Sequence, residues 1–290
     1  MEIAIRPARA EDKEAVAVFT HHTFPWGDYV TGVFDDWLRD PKGRVMVACD
    51  PADRAVGMAR VTLLSPREAW AQGARIHPGF RRQGIGKRLN DALCAWAAQR
   101  GARVMRLAVE EWNQPARGQV AQLAYRPVSQ WVFAAGALAD ASPVAGGDGG
   151  QRVPGPERLE PATSSEAEPA YFAWARSGLA RAARELFPLG WSWRSLTLQD
   201  VAAAARAGGL WAARCGWAIS EPSREALRVS WVSTAPEDAA AMTRALVDRG
   251  IDMGAERVEV MAPAVSWLTE PLRRAAPDLH PLVVYAKPIG

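Results

Sequence analysis

The sequence predicts a mixed α+β (α/β) chain built as two successive units of like order. Apolar runs of strand length alternate with stretches whose apolar residues recur at helical spacing. At Gly84-Ile85-Gly86 a strand hands over to a helix. A segment over 138–156, rich in Ala, Gly, Pro, Ser and Asp and including Gly146-Gly147-Asp148-Gly149-Gly150, has no apolar periodicity and reads as a linker. Beyond it the order of elements begins again, so the division expected is 1–137, a linker over 138–156, and 157–290.

Glu2 to Arg6 reads as a short strand, followed by a helix from Ala10 to about Thr20. The segment His21 to Tyr29 is aromatic and irregular, with His21 and His22 read as a solvated helix end, and Val33 to Arg39 is helical again. Arg44 to Cys49 and Ala55 to Leu64 are apolar runs joined by Asp50-Pro51-Ala52-Asp53-Arg54, a hairpin by turn chemistry. Glu68 to Ile76 is the next strand. In the helix that follows, Ile85, Leu89, Leu93 and Trp96 share one face, and Gly101 is its stop. Arg103 to Val109 is a buried strand, Asn113 to Leu123 a helix and Pro127 to Ala134 a strand. In the second half, helices are expected over Glu166 to Phe187, Leu198 to Ala207, Glu237 to Arg249 and Ser266 to Ala275. Strands are expected at Leu210 to Cys215, Trp217 to Ser220, Leu227 to Ser233, Arg257 to Met261 and Pro281 to Ala286.

The glycine junction has a definite chemistry. Glycines permit a tight turn and close approach of a ligand to the backbone, and the first N–H groups of the new helix are unpaired and carry the positive end of its dipole. Arg81, Arg82, Lys87 and Arg88 add charge around them, a setting that suits a phosphate. The spacing fits neither G-x-G-x-x-G nor G-x-x-x-x-G-K-[ST], which disfavours a dinucleotide fingerprint and a P-loop.

What the stretch does match is R-x-x-G-x-G after a strand and a His-Pro-Gly-Phe turn, and before an amphipathic helix. This resembles the acyl-CoA pyrophosphate loop of the GNAT superfamily of N-acetyltransferases. The order of elements over 1–137 agrees with that family's fold, and the resemblance implies a mixed, mostly antiparallel sheet flanked by helices in each of two tandem domains. It also implies acetyl-CoA as cofactor. Ile76, His77 and Pro78 would lie at the acetyl group and the pantetheine arm, and Arg81, Arg82, Gln83, Gly84, Ile85, Gly86, Lys87 and Arg88 would cradle the pyrophosphate. Asn113 matches the family's asparagine near the pantetheine and equally suits a helix N-cap. The family's general-acid tyrosine falls on Val120, and its following Gly-Phe pair on Ala124-Tyr125. In the second unit the glycine turn is replaced by Thr234-Ala235-Pro236-Glu237-Asp238, whose carboxylates would repel phosphates; it resembles a degenerate repeat without cofactor binding.

Acetyl transfer to an amine needs a base, and Glu68, Glu110 and Glu111 are the candidates on the strands about the junction, with His77 ranked below them. Trp26 and Trp70 are candidate walls for an organic or cationic amine. Composition sets the class: 290 residues, 49% hydrophobic and 23% charged, is ordinary for a globular protein. No apolar run approaches the roughly 20 residues of a membrane span, and no leader precedes the first strand, so a cytoplasmic protein is expected. Three scattered cysteines argue against a disulfide framework and a Cys-rich metal site. Residues 1–137 hold 19 Lys/Arg against 14 Asp/Glu, and the remainder 16 against 18. The excess lies with the glycine junction and is too small for a nucleic-acid face.

The leading expectation is thus an acetyl-CoA-dependent N-acetyltransferase, an acyltransferase acting on a primary amine of a small molecule. The alternatives are an acyl-CoA-binding sensor or pseudoenzyme, suggested by Val120, and a scaffold using Arg81, Arg82, Lys87 and Arg88 as a nucleic-acid patch. The acceptor and the oligomeric state stay open at this level.

Overall fold

The computed structural model describes residues 2–21, 23, 27–138, 157–223 and 225–290. His22, Trp26 and nearly all of the expected linker 138–156 lie outside the described residues. The chain divides into two compact units. The first comprises Met1–Ala108, Gln114–Arg126 and Tyr285–Gly290, and the second Val109–Asn113 and Pro127–Val284.

The first unit contains β1 (Ala4–Pro7), α1 (Asp12–Thr20), α2 (Val30–Arg39), β2 (Gly43–Cys49), β3 (Ala55–Ser65), β4 (Glu68–Ile76), α3 (Ile85–Ala98), β5 (Val104–Glu110) and α4 (Gln114–Gln122). Strands β1 to β4 are antiparallel neighbours, and β5 joins β4 in parallel. The β2–β3 turn forms as its sequence requires: the Asp50 carboxylate accepts from the N–H groups of Ala52 and Arg54, both at 3.0 Å. Val16, Phe19, Phe34 and Trp37 from α1 and α2 bury against Val45, Val47 and Met58. Ile85, Leu89, Leu93 and Trp96 of α3 are buried as their spacing predicts, each contributing about 1.5–3 kcal/mol of apolar transfer. Gly101 stops α3 with a φ of +93°.

One feature of β4 positions the site. Its parallel ladder with β5 runs from Glu68/Val104 to Trp70/Arg106 and ends there, although β4 continues to Ile76 and β5 to Glu110. The two strands therefore part toward their carboxyl ends. On the other edge β4 stays paired to β3, with a shift of register around Gly73, whose φ is +67°. A Cβ at Gly73 would lie 2.8 Å from the Trp37 ring, so the bulge accepts only glycine while that ring fills the space.

The second unit contains β6 (Arg126–Ala137), β7 (Glu160–Pro161), α5 (Ala167–Ala175), α6 (Gly178–Ala183), β8 (Leu186–Leu189), β9 (Ser192–Ser195), α7 (Leu198–Arg206), β10 (Leu210–Ala213), β11 (Gly216–Pro222), β12 (Ala226–Ser233), α8 (Ala239–Asp252), β13 (Arg257–Pro263), α9 (Ser266–Ala275) and β14 (Asp278–Pro288). Strand β14 begins in this unit, and its residues from Tyr285 onward belong to the first. Strands β10, β11 and β12 are antiparallel. The parallel ladder of β12 with β13 ends at Val229/Val260, short of both strand ends, as in the β4–β5 pair.

The expected helix over Glu166 to Phe187 is corrected by the structure. It breaks at Ser177, whose hydroxyl accepts the Ala180 N–H and caps α6, and it ends at Ala183. A β8–β9 hairpin follows, which helical spacing concealed. The end after Ala183 carries no glycine: Arg184 and Glu185 both adopt left-handed backbone, with φ of 55° and 58°.

Candidate functional site

At the end of β4 the His77 N–H donates to Val56 O at 2.8 Å. In an antiparallel ladder the next residue back presents its polar groups to the opposite side. The N–H and C=O of Ile76 therefore point away from β3, toward the edge that β5 has left. Arg81 Nε lies 3.4 Å from the Ile76 oxygen. His77 Nδ1 accepts the Gly79 N–H at 3.1 Å and caps the short turn Pro78–Phe80, with its ring edge-on to Phe80 at 5.4 Å.

Gly84 begins α3 in left-handed conformation, φ +76°, and a Cβ there would meet none of the described residues within 4 Å. Arg82 is left-handed as well, with φ +62°. Left-handed residues in such a turn gather successive N–H groups into a concavity. Among the described residues no side chain caps α3, and its first turn holds no acidic residue. A diphosphate suits this donor set.

The basic residues divide by contact. Arg81, Arg82 and Gln83 are exposed on the turn, and Gln83 Nε2 reaches Gly79 O at 3.4 Å. Lys87 pairs with Asp91 at 2.6 Å, and Arg88 turns away to donate to Ile3 O at 2.6 Å. Gly86 meets a residue that the sequence did not signal: a Cβ there would lie 2.3 Å from Gln119 Nε2 of α4. That amide thus rests over the first turn of α3.

Of the three candidate bases, Glu68 is not brought to Ile76. It starts β4, eight residues and about 25 Å of strand away, and pairs with Arg106 at 2.6 Å. Glu110 ends β5 and its O accepts the Asn113 N–H at 3.0 Å, while the Glu111 N–H donates to Pro281 O at 2.9 Å. Glu110, Glu111 and Asn113 group with the second unit, and Glu68 with the first. Asn113 directly precedes α4. Trp70 is 2% exposed and belongs to the core. Val120 is buried.

The stretch expected to shape an acceptor pocket supplies a charged and aromatic cluster. Asp28 pairs with Arg75 of β4 at 2.6 Å, and Arg75 lies over the Tyr29 ring at 5.8 Å. Trp37 stands edge-on to Tyr29 and under the Arg60 guanidinium, which pairs with Asp40. Burial alone would raise the Asp28 carboxyl, but hydrogen bonds from Arg75, the Val30 N–H and Thr23 hold it below the usual carboxylate range. Among the described residues no group of His, Cys, Asp and Glu could hold a metal ion, and no helix is long and apolar enough to cross a membrane.

Residues 11–123 match the sequence model of the acetyltransferase (GNAT) family. A GCN5-related N-acetyltransferase from Sphaerobacter thermophilus superposes with a TM-score of 0.67 at 16% identity, over 99% of this chain and 95% of its own. The fold is a GNAT fold. A structure from Thermoplasma acidophilum gives 0.60 at 14% identity over 98% of this chain and 99% of its own. A GCN5-related N-acetyltransferase from Kribbella flavida gives 0.52 at 17%, over 98% and 70%. No curated protein matches the sequence. The parting of β4 from β5 and the uncapped start of α3 lie inside the segment that matches the GNAT model.

Proposed function

We propose that the first unit is an acetyl-CoA-dependent N-acetyltransferase acting on a primary amine of a small molecule. The observation that carries this is the uncapped, left-handed start of α3 beside a strand whose outer edge is open at Ile76. The N–H groups from Arg82 to Lys87 would bind the diphosphate, with Arg81 and Arg82 adding charge. The edge of β4 from Ala71 to Ile76 would pair with the pantetheine arm as an added strand. When bound, acetyl-CoA supplies an acyl group activated as a thioester.

The Ile76 N–H is oriented to polarise an acyl oxygen, a task that backbone amides perform without side-chain chemistry. Glu110 and Glu111, at the end of β5, are the carboxylates proposed to take the amine proton, directly or through water. Glu68 is assigned instead to its ion pair with Arg106. Val120 would offer no proton to a departing thiolate, so another group or water would serve as the acid, or the thiolate would leave unprotonated. The Tyr29, Arg75 and Trp37 cluster is proposed as one wall of the acceptor pocket. The second unit is read as a degenerate repeat, because Glu237 and Asp238 precede α8 where the first unit has its glycine turn. The reading places the protein in the cytoplasm.

The test is calorimetric titration with acetyl-CoA, followed by a free-thiol assay across a library of amines. Saturable binding and amine-dependent thiol release support the proposal; no saturable binding overturns it. Val120 favours one other reading, an acyl-CoA sensor, which would bind the ligand and release no thiol with any amine.

A further inference from the structure

The second unit holds a groove of about 420 Å³, a size suited to a small molecule. Pro127, Val128 and Val283 give it apolar walls, and Ser129 and Gln130 of β6 add polar groups. Its charge comes from Arg181 and Arg184, and among the described residues no carboxylate lines it. Ala264 places the groove at the carboxyl end of β13, past the point where that strand parts from β12.

The backbone under Arg184 is the unusual feature. Arg184 terminates α6 in left-handed conformation with φ 55° and ψ 40°, and Glu185 follows at φ 58°. This is a helix end where glycine would be free of strain. The fold instead holds an arginine there, fixed by the Glu185 N–H donating to Ala180 O and the Leu196 N–H donating to Glu185 O, both at 2.9 Å. Strain kept at a residue lining a groove is a pointer to function. Among the described residues neither Arg181 nor Arg184 forms an ion pair; Arg181 spends one N–H on Arg176 O at 3.2 Å.

We infer that this groove is a second binding site, for a small organic molecule bearing one carboxylate or phosphate. The two guanidinium forks hold the oxyanion, since their planar donors match its geometry. The organic body lies on Pro127, Val128 and Val283. The site is independent of the acetyl-CoA reading of the first unit.

The test uses the full chain and two probes, benzoate and phenyl phosphate, with benzyl alcohol as the neutral control, read by calorimetry. At least one anion binds saturably in the millimolar range or tighter and the alcohol does not. Arg184→Gly keeps the left-handed backbone and removes the fork; it weakens the anion at least tenfold without lowering the melting temperature. Arg181→Gln weakens it likewise. Gly84→Val, at the other anion trap of the chain, leaves the probe affinity unchanged. The inference is overturned if neither anion binds, if benzyl alcohol binds equally, if Arg184→Gly binds as the parent does, or if Gly84→Val abolishes binding.

Discussion

Ala124 sits in left-handed backbone with φ 64°, a conformation that costs a residue with a Cβ roughly 1–2 kcal/mol. Tyr125 follows it into the core, where its hydroxyl donates to Asn90 Oδ1 at 2.8 Å. Glycine would relieve the strain at some cost in unfolded-state entropy. Ala124→Gly should therefore stabilise the protein by about 0.5 kcal/mol, seen as a higher urea midpoint with unchanged slope. Asp28 makes an opposite case. Its carboxylate is 1% exposed and paired with Arg75, so Asp28→Asn should cost about 3 kcal/mol by leaving the guanidinium uncompensated. Because the folded state holds this carboxyl below its ordinary value, its contribution is present above the unfolded pKa and is lost as pH falls through the folded one. Urea unfolding across the acid range should show a shallower loss of stability in Asp28→Asn than in the parent.

At the scale of elements, the start of α3 is the sensitive point. Gly84→Val forces a β-branched residue into φ +76° and, on the proposed function, should weaken acetyl-CoA binding at least tenfold in a titration, while far-UV circular dichroism stays that of a folded protein. Much of this element was legible beforehand, because its signals are local: Gly84 for the turn, Ile85, Leu89, Leu93 and Trp96 for the buried face, Gly101 for the stop. Strand β4 and helix α9 have the bounds their sequences predict. The hairpin of β8 and β9 was hidden because Arg184 and Glu185 end a helix in a conformation that their side chains do not announce. The Asp28–Arg75 pair spans 47 positions, and the contact of Gln119 with the space above Gly86 joins different helices. No periodicity encodes either.

At the scale of the molecule, the first unit is completed by residues 285–290. Tyr285 accepts from Arg117 Nε at 3.2 Å, Lys287 lies over the Tyr125 ring at 5.8 Å, and the Ile289 N–H donates to Arg103 O at 2.9 Å. Deleting 285–290 should lower the melting temperature of the first unit and, on the proposed function, its transferase rate with it. A fragment comprising 1–137 alone should be similarly weakened and should regain stability when a peptide of 278–290 is added.

The same late segment bears on how the protein is made. After Arg126 leaves the ribosome, about 160 further residues must be translated before Tyr285 emerges, which at roughly 5–20 residues per second takes on the order of ten to thirty seconds. Throughout that interval the nascent first unit lacks residues 285–290, and an unfinished sheet is open to pairing with another chain. Codon speed across this stretch, and chaperones that shelter unfinished sheets, should therefore govern the yield of folded protein.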